Sequence, residues 1–225
     1  MQELDLTKII QYPFKETQYI KTETKKTQIY LHHTAGRSNG VDTFKYWEGN
    51  KERVATCVTI CGVTNVYPDG QIIQGFSSKY WGYHLGLTND SFNKFGLTYL
   101  PLDQISIGIE ICNWGILKET IRGYETWTGD ILPLSQVCKL DKPFKGSKYY
   151  HNYTDAQIES VRQLLVYWNK IYQIPLTYND DIFDLNKRAL SGEPGIYTHN
   201  SVRKDKTDIY PHPKMIQMLK LLTQN

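Results

Sequence analysis

Six histidines occur in the 225-residue chain, and two of them stand where chemistry is possible. His32 follows the short apolar run Gln28-Ile-Tyr-Leu31, and His199 follows Ile196–Thr198. In a sheet whose strands end together, such positions converge on one edge, where open α/β sheets hold their ligands. Asp208 comes nine residues after His199. Two imidazoles and a carboxylate, with one position left to water, make up the donor set of a catalytic zinc site. The same residues also fit structural roles, as hydrogen-bonded buried histidines and a capping aspartate. A further carboxylate, Glu110, lies in Ser106-Ile-Gly-Ile-Glu-Ile-Cys112. Period-two alternation puts it opposite the isoleucines, on a face that is either solvent or a site.

Several elements must position these groups. Gln28–Leu31 reads as a buried strand delivering His32 into a turn at 35–40. Val41, Phe44, Tyr46 and Trp47 are near helical spacing. Val54–Ile60 and Gln71–Phe76 read as strands around the Pro68-Asp69-Gly70 turn. Thr154-Asp-Ala-Gln157 is a capping box, and Ile158, Val161, Leu164, Leu165, Trp168 and Ile171 continue as one apolar stripe. Pro211 and Pro213 introduce a last helix carrying Met215, Ile216, Met218, Leu219 and Leu222. The pattern predicts one α/β domain over 27–225, a central mixed β-sheet flanked by helices, with the site at one sheet edge. Residues 1–26, polar and rich in Thr and Lys, read as an extended arm. Segments near 117–152 and 177–195 read as insertions, the first of them irregular.

Composition narrows the classes. Apolar residues are 40% and charged residues 22%, which suffices for a packed core. A net charge of +3 without a clustered basic patch predicts no nucleic-acid partner. No apolar run reaches the roughly 18–20 residues of a membrane span. Met1 to Tyr12 lacks the basic and apolar regions of a secretory signal, so none is expected. Cys57, Cys61, Cys112 and Cys138 read as small buried hydrophobes rather than a disulfide framework.

Leu31-His-His-Thr-Ala-Gly36 resembles the first zinc-ligand motif of the type 2 N-acetylmuramoyl-L-alanine amidases, which include T7-lysozyme-like phage amidases and peptidoglycan recognition proteins. Further stretches match in order: Tyr80-Trp-Gly-Tyr-His-Leu-Gly86, Ser106-Ile-Gly-Ile-Glu110, Tyr153-Thr-Asp-Ala-Gln157, and Tyr197-Thr-His199 followed by Lys206-Thr-Asp208. The resemblance spans roughly residues 27 to 220. Each piece alone is weak, whereas the ordered set is specific.

The resemblance implies Zn2+ held by His32, His199 and Asp208, in a family whose third ligand is Cys or Asp. His33 is then the non-ligand neighbour, and His212 a weaker rival ligand. It implies Lys206 beside the oxyanion. Of the two general bases the family uses, the Tyr position is occupied here by Thr56, so the role falls to Glu110. Substrate contacts are implied for His84, Trp81, Trp114 and Thr34. Cys57 departs from the pattern, standing where relatives often carry His. The implied reaction is hydrolysis of the amide between N-acetylmuramic acid and L-alanine in peptidoglycan or muropeptides. A monomeric phage endolysin is expected, held in the host cytoplasm until release to the wall. A cytoplasmic muropeptide-recycling amidase and a non-catalytic peptidoglycan-binding module are the competing expectations.

Overall fold

The computed structural model describes residues 3–224. In chain order the elements are β1 (Ile10–Gln11), β2 (Gln28–His33), α1 (Gly40–Gly49), β3 (Val58–Ile60), β4 (Ile72–Gln74), α2 (Asn89–Asn93), α3 (Leu102–Ile105) and β5 (Ser106–Ile111). There follow β6 (Lys118–Thr120), β7 (Gly123–Glu125), β8 (Ile131–Leu132), β9 (Val137–Phe144), β10 (Ser147–His151), α4 (Asp155–Tyr172), α5 (Lys187–Leu190), β11 (Gly195–Thr198) and α6 (Pro213–Thr223).

The two six-residue strands, β2 and β5, are buried along their whole length. Strands covered on both faces belong at the centre of a parallel sheet. The order is β1-β4-β3-β5-β2-β11, and β3, β5, β2 and β11 run parallel. Only the β3–β4 pairing is antiparallel, so the sheet is mixed. Four parallel strands therefore end on one edge.

α4 forms as its capping box requires. Thr154 accepts from the Gln157 amide, and the Gln157 side chain returns the bond to the Thr154 amide. Its stripe buries Ile158, Val161, Leu164, Leu165 and Trp168, whereas Ile171, at the solvent end, is half exposed. Among the described residues, no helix is long and apolar enough to cross a membrane.

Residues 3–26 supply edge strand β1, and Phe14 and Tyr19 then pack with Phe44 and Phe76 in a cluster of rings. The segment ends in a buried Lys26, whose Nζ donates to the Gln104 carbonyl at 2.9 Å.

Two expectations need correction. The strand predicted from Val54 begins only at Val58, because Val54 and Ala55 pair instead with Tyr83. Residues 117–152 are not irregular. They form an antiparallel three-stranded sheet, β6-β7-β8, and the β9–β10 hairpin. Much of this surface faces water, so the strands are polar and their alternation is hidden. The hairpin turn, with Lys145 and Gly146 both at positive φ, has the twist that favours tight hairpins.

Thr154→Ala removes the cap and the Thr154–Asp69 hydrogen bond together. It is expected to cost about 1–2 kcal/mol, read from the denaturant midpoint. Burial lowers the Lys26 pKa to about 8, against the pull of Cys57 and Asp103. Between about pH 8 and about pH 10 the unfolded chain therefore binds more protons, and Lys26 favours folding increasingly as pH rises. Unfolding curves across that window should show wild type gaining stability relative to Lys26→Met with pH.

Candidate active site

Register places the first groups. β2 and β5 pair in parallel with His32 opposite Glu110, and Thr59 of β3 lies opposite Glu110 on the other side. Period two puts Tyr30 and His32 on the face shared with Ser106, Gly108 and Glu110. His33 falls on the reverse face, where its Nδ1 lies 2.7 Å from the Tyr153 hydroxyl. β11 ends beside Leu31, and the next turn, His199–Ser201, turns His199 towards His32. Asp208 arrives from the following loop, fixed where Asn200 Nδ2 donates to its carbonyl at 2.9 Å.

These three side chains meet. His32 Nδ1 lies 3.1 Å from His199 Nδ1 and 3.1 Å from Asp208 Oδ2, which is 3.0 Å from His199 Nδ1. Three donors on one zinc at about 2.0 Å would stand roughly 3.3 Å apart at tetrahedral angles. Protonation fits the same reading. His199 Nε2 lies 2.9 Å from the Leu85 carbonyl, which can only accept, so the proton is on Nε2 and the Nδ1 lone pair faces the cluster. His32 Nε2 donating to His84 Nδ1 at 2.9 Å, and His84 Nε2 to Ser106 Oγ at 2.8 Å, leave the Nδ1 lone pair of His32 free too. Burial lowers the His32 pKa to about 4, so the imidazole is neutral at neutral pH, as a ligand must be. Burial pushes the Asp208 carboxyl up, but His199 and His32 outweigh it and hold it well below its usual range. Converging lone pairs and a carboxylate with no cation between them fit a divalent metal.

One dipeptide aims both imidazoles. The His84 ring backs His32 while the Leu85 carbonyl backs His199. Both backbone amides donate to Oδ1 of the buried Asp103, at 2.8 and 3.0 Å, and Arg203 holds the next carbonyl, that of Gly86. Gly108 makes room for the His84 ring: a Cβ there would lie 2.6 Å from Thr56 Cγ2 and 3.1 Å from His84 Nδ1.

Above the cluster is a cleft of about 870 Å³ lined by His32, His199, Asp208, Glu110, Lys206, Thr34, Trp114 and His84. Burial pushes the Glu110 carboxyl well above its usual range, the Asp208 charge adds to this, and Lys206 opposes it.

Not every expected residue is there. Trp81 does not line the cleft: its backbone bridges Ile20 and its ring packs edge-on against Tyr83. His84 is reached from the cleft, but both ring nitrogens are engaged behind His32. His212 instead caps α6, accepting from the Met215 amide, and its Nε2 meets Asn152. Thr56 is buried and donates to the Val58 carbonyl. The four cysteines are free and buried. Sequence reading missed Asp103, Tyr46 and Trp127. Asp103 carries no motif, and Trp127 lay in a segment read as irregular.

If the cluster is a metal site, His32→Ala and Asp208→Ala should each abolish uptake of an added divalent metal, read by elemental analysis after loading and desalting. Asp103→Ala should weaken binding of that metal about 10–100-fold in chelator competition, while Asp103→Asn, which keeps the acceptor oxygen, stays within a few fold.

The fold matches solved structures of low sequence identity. PlyL aligns over 94% of this chain and 96% of its own, with a TM-score of 0.52 at 16% identity. The catalytic domain of XlyA aligns over 96% and 98%, with a TM-score of 0.50 at 14% identity. The N-acetylmuramyl-L-alanine amidase AmiD from E. coli, solved with anhydro-N-acetylmuramic acid-L-Ala-D-gamma-Glu-L-Lys, aligns over 88% of this chain and 59% of its own, with a TM-score of 0.50 at 17% identity. No curated protein matches by sequence. The family profile described as N-acetylmuramoyl-L-alanine amidase spans residues 23–213, which takes in β2, β5, β11 and every residue of the cluster, and the chain belongs to that family.

Proposed function

We propose that this protein is a zinc-dependent amidase that cleaves the bond between N-acetylmuramic acid and L-alanine in peptidoglycan. The observation that carries this is the meeting, in one cleft, of a His-His-Asp donor set with a separate buried carboxylate, Glu110, and a cation, Lys206.

Zinc would supply Lewis-acid polarisation of the amide carbonyl and of the attacking water. The remaining work falls to the chain. Glu110 is buried, and among the described residues its carboxylate has no hydrogen-bond partner, so it is free to take the water's proton. Its raised pKa makes it a stronger base than an exposed glutamate, and a competent acid for returning that proton to the departing alanine amine. Lys206 offers its ammonium to the oxyanion of the tetrahedral intermediate. The apolar rows on the far side of β2 and β5 fix His32 and Glu110 relative to each other, so little reorganisation accompanies reaction.

A non-catalytic binding module would have no use for a buried carboxylate beside the donor set, and the complete set favours catalysis. The proposal extends to an endolysin-like, wall-lysing monomer with no nucleic-acid partner, held in the cytoplasm of its host until release. A muropeptide-recycling enzyme would instead prefer small soluble fragments.

A mass-spectrometric digest of purified peptidoglycan tests the reaction. Stem peptides with a free L-alanine amine should appear, vanish with chelator and return with zinc. New reducing sugar ends or cuts within the peptide would refute the assignment. Glu110→Ala is expected to keep zinc and lose about 100-fold or more in kcat. Activity within a few fold of wild type would remove Glu110 from the base role.

A further inference from the structure

Trp127 is a large apolar side chain left 73% exposed, yet it is held in place. Its indole N–H donates to the Ala35 carbonyl at 2.7 Å, three residues beyond His32. Its ring stands edge-on to Trp114, with centroids 6.3 Å apart at 69°. The turn that carries it is closed by the Thr126 amide donating to the Asp130 carbonyl, the Gly129 amide to Thr126, and a hydroxyl contact between Thr126 and Thr128. An exposed aromatic ring fixed this firmly is prepaid for a ligand, because little side-chain entropy is lost on binding.

Its surroundings say what kind of ligand. Trp127 lines the catalytic cleft of about 870 Å³ and also an adjoining cavity of about 440 Å³ walled by Lys118, Glu125 and Gly129 of the inserted sheet. The indole is thus a ridge between two hollows, only one of which holds the reacting groups. A ligand that uses both extends past the reacting groups, over the Trp127 ring. A pyranose ring presents an apolar face of C–H bonds that suits a flat indole, with hydroxyls at its rim for water and polar walls. Tyr46 on α1, 71% exposed, offers a second ring in the catalytic cleft.

We infer that Trp127 is a stacking platform for a sugar of the glycan strand next to the one being cleaved, and that the inserted sheet makes the enzyme prefer polymeric glycan to single-sugar muramoyl peptides. This rests on the peptidoglycan reading above and specifies the form of the substrate.

The test compares kcat/KM on a muramoyl peptide of one sugar with that on a soluble glycan chain of several disaccharides carrying stems. Wild type should prefer the chain. Trp127→Ala should lose about tenfold on the chain, mainly through KM, and stay within twofold on the single sugar. Trp127→Phe, which keeps a ring and loses the N–H, should retain most of the preference. Zinc content and melting temperature should match wild type in both variants. Equal losses on the two substrates, or no preference in wild type, would overturn the inference. Should wild type cleave neither substrate, the functional reading falls. The platform is then decided by titrating a peptide-free glycan tetrasaccharide: a saturable shift of the Trp127 indole N–H resonance, assigned by its loss from the Trp127→Ala spectrum, together with weaker calorimetric binding by Trp127→Ala, supports it, and an unmoved signal overturns it.

Discussion

The structure is organised around an arrangement that is unfavourable by itself. Two imidazole lone pairs and a carboxylate oxygen point at one another across 3.0–3.1 Å. Such groups repel unless a cation lies between them, so the fold must hold them from behind. It does so with strand ends, which cannot move without breaking the sheet, and with the His84–Leu85 segment, itself pinned by Asp103. The ligands from β2 and the turn after β11 thus share one support, although 167 positions separate His32 and His199 in the chain.

The same face of the sheet explains why the central strand reads Ser-Ile-Gly-Ile-Glu. Ser106 receives the end of the histidine chain, Gly108 leaves space for the ring between, and Glu110 faces the cleft. The alternate residues, Ile107, Ile109 and Ile111, are buried in the core. One short strand therefore serves packing on one side and chemistry on the other. A slip of one residue in its pairing would put an isoleucine where the carboxylate belongs.

Much of this was legible in sequence because it depends on local pattern. The period-two runs gave the central strands, the Thr154 box gave α4, and histidines at strand ends gave two corners of the cluster. Glu110 was legible once its strand was recognised, since period two assigns its face. What could not be read depends on long-range contact. Asp103 acts through backbone amides some 20 positions away, and nothing about an aspartate before an apolar strand announces this. Trp81 sits in a motif beside His84, but the bridge to Ile20 turns it from the cleft. The strands of 117–152 escaped notice because few of their residues face the core, Cys138, Leu140 and Tyr150 among them, and so short an alternation is hard to see in a polar segment.

The tie between Trp127 and Ala35 has a consequence for how the protein could vary. The acceptor is a main-chain carbonyl, so the contact asks nothing of the side chain at position 35. The inserted sheet is thus attached to the loop after β2 through its main chain, at a residue whose positive φ disfavours β-branched side chains. The His-His-Asp cluster, Glu110 and His84 all belong to the central sheet and its connecting loops. The outer wall of the cleft can therefore change in sequence, and in what it presents to a ligand, without a compensating change in the cluster itself.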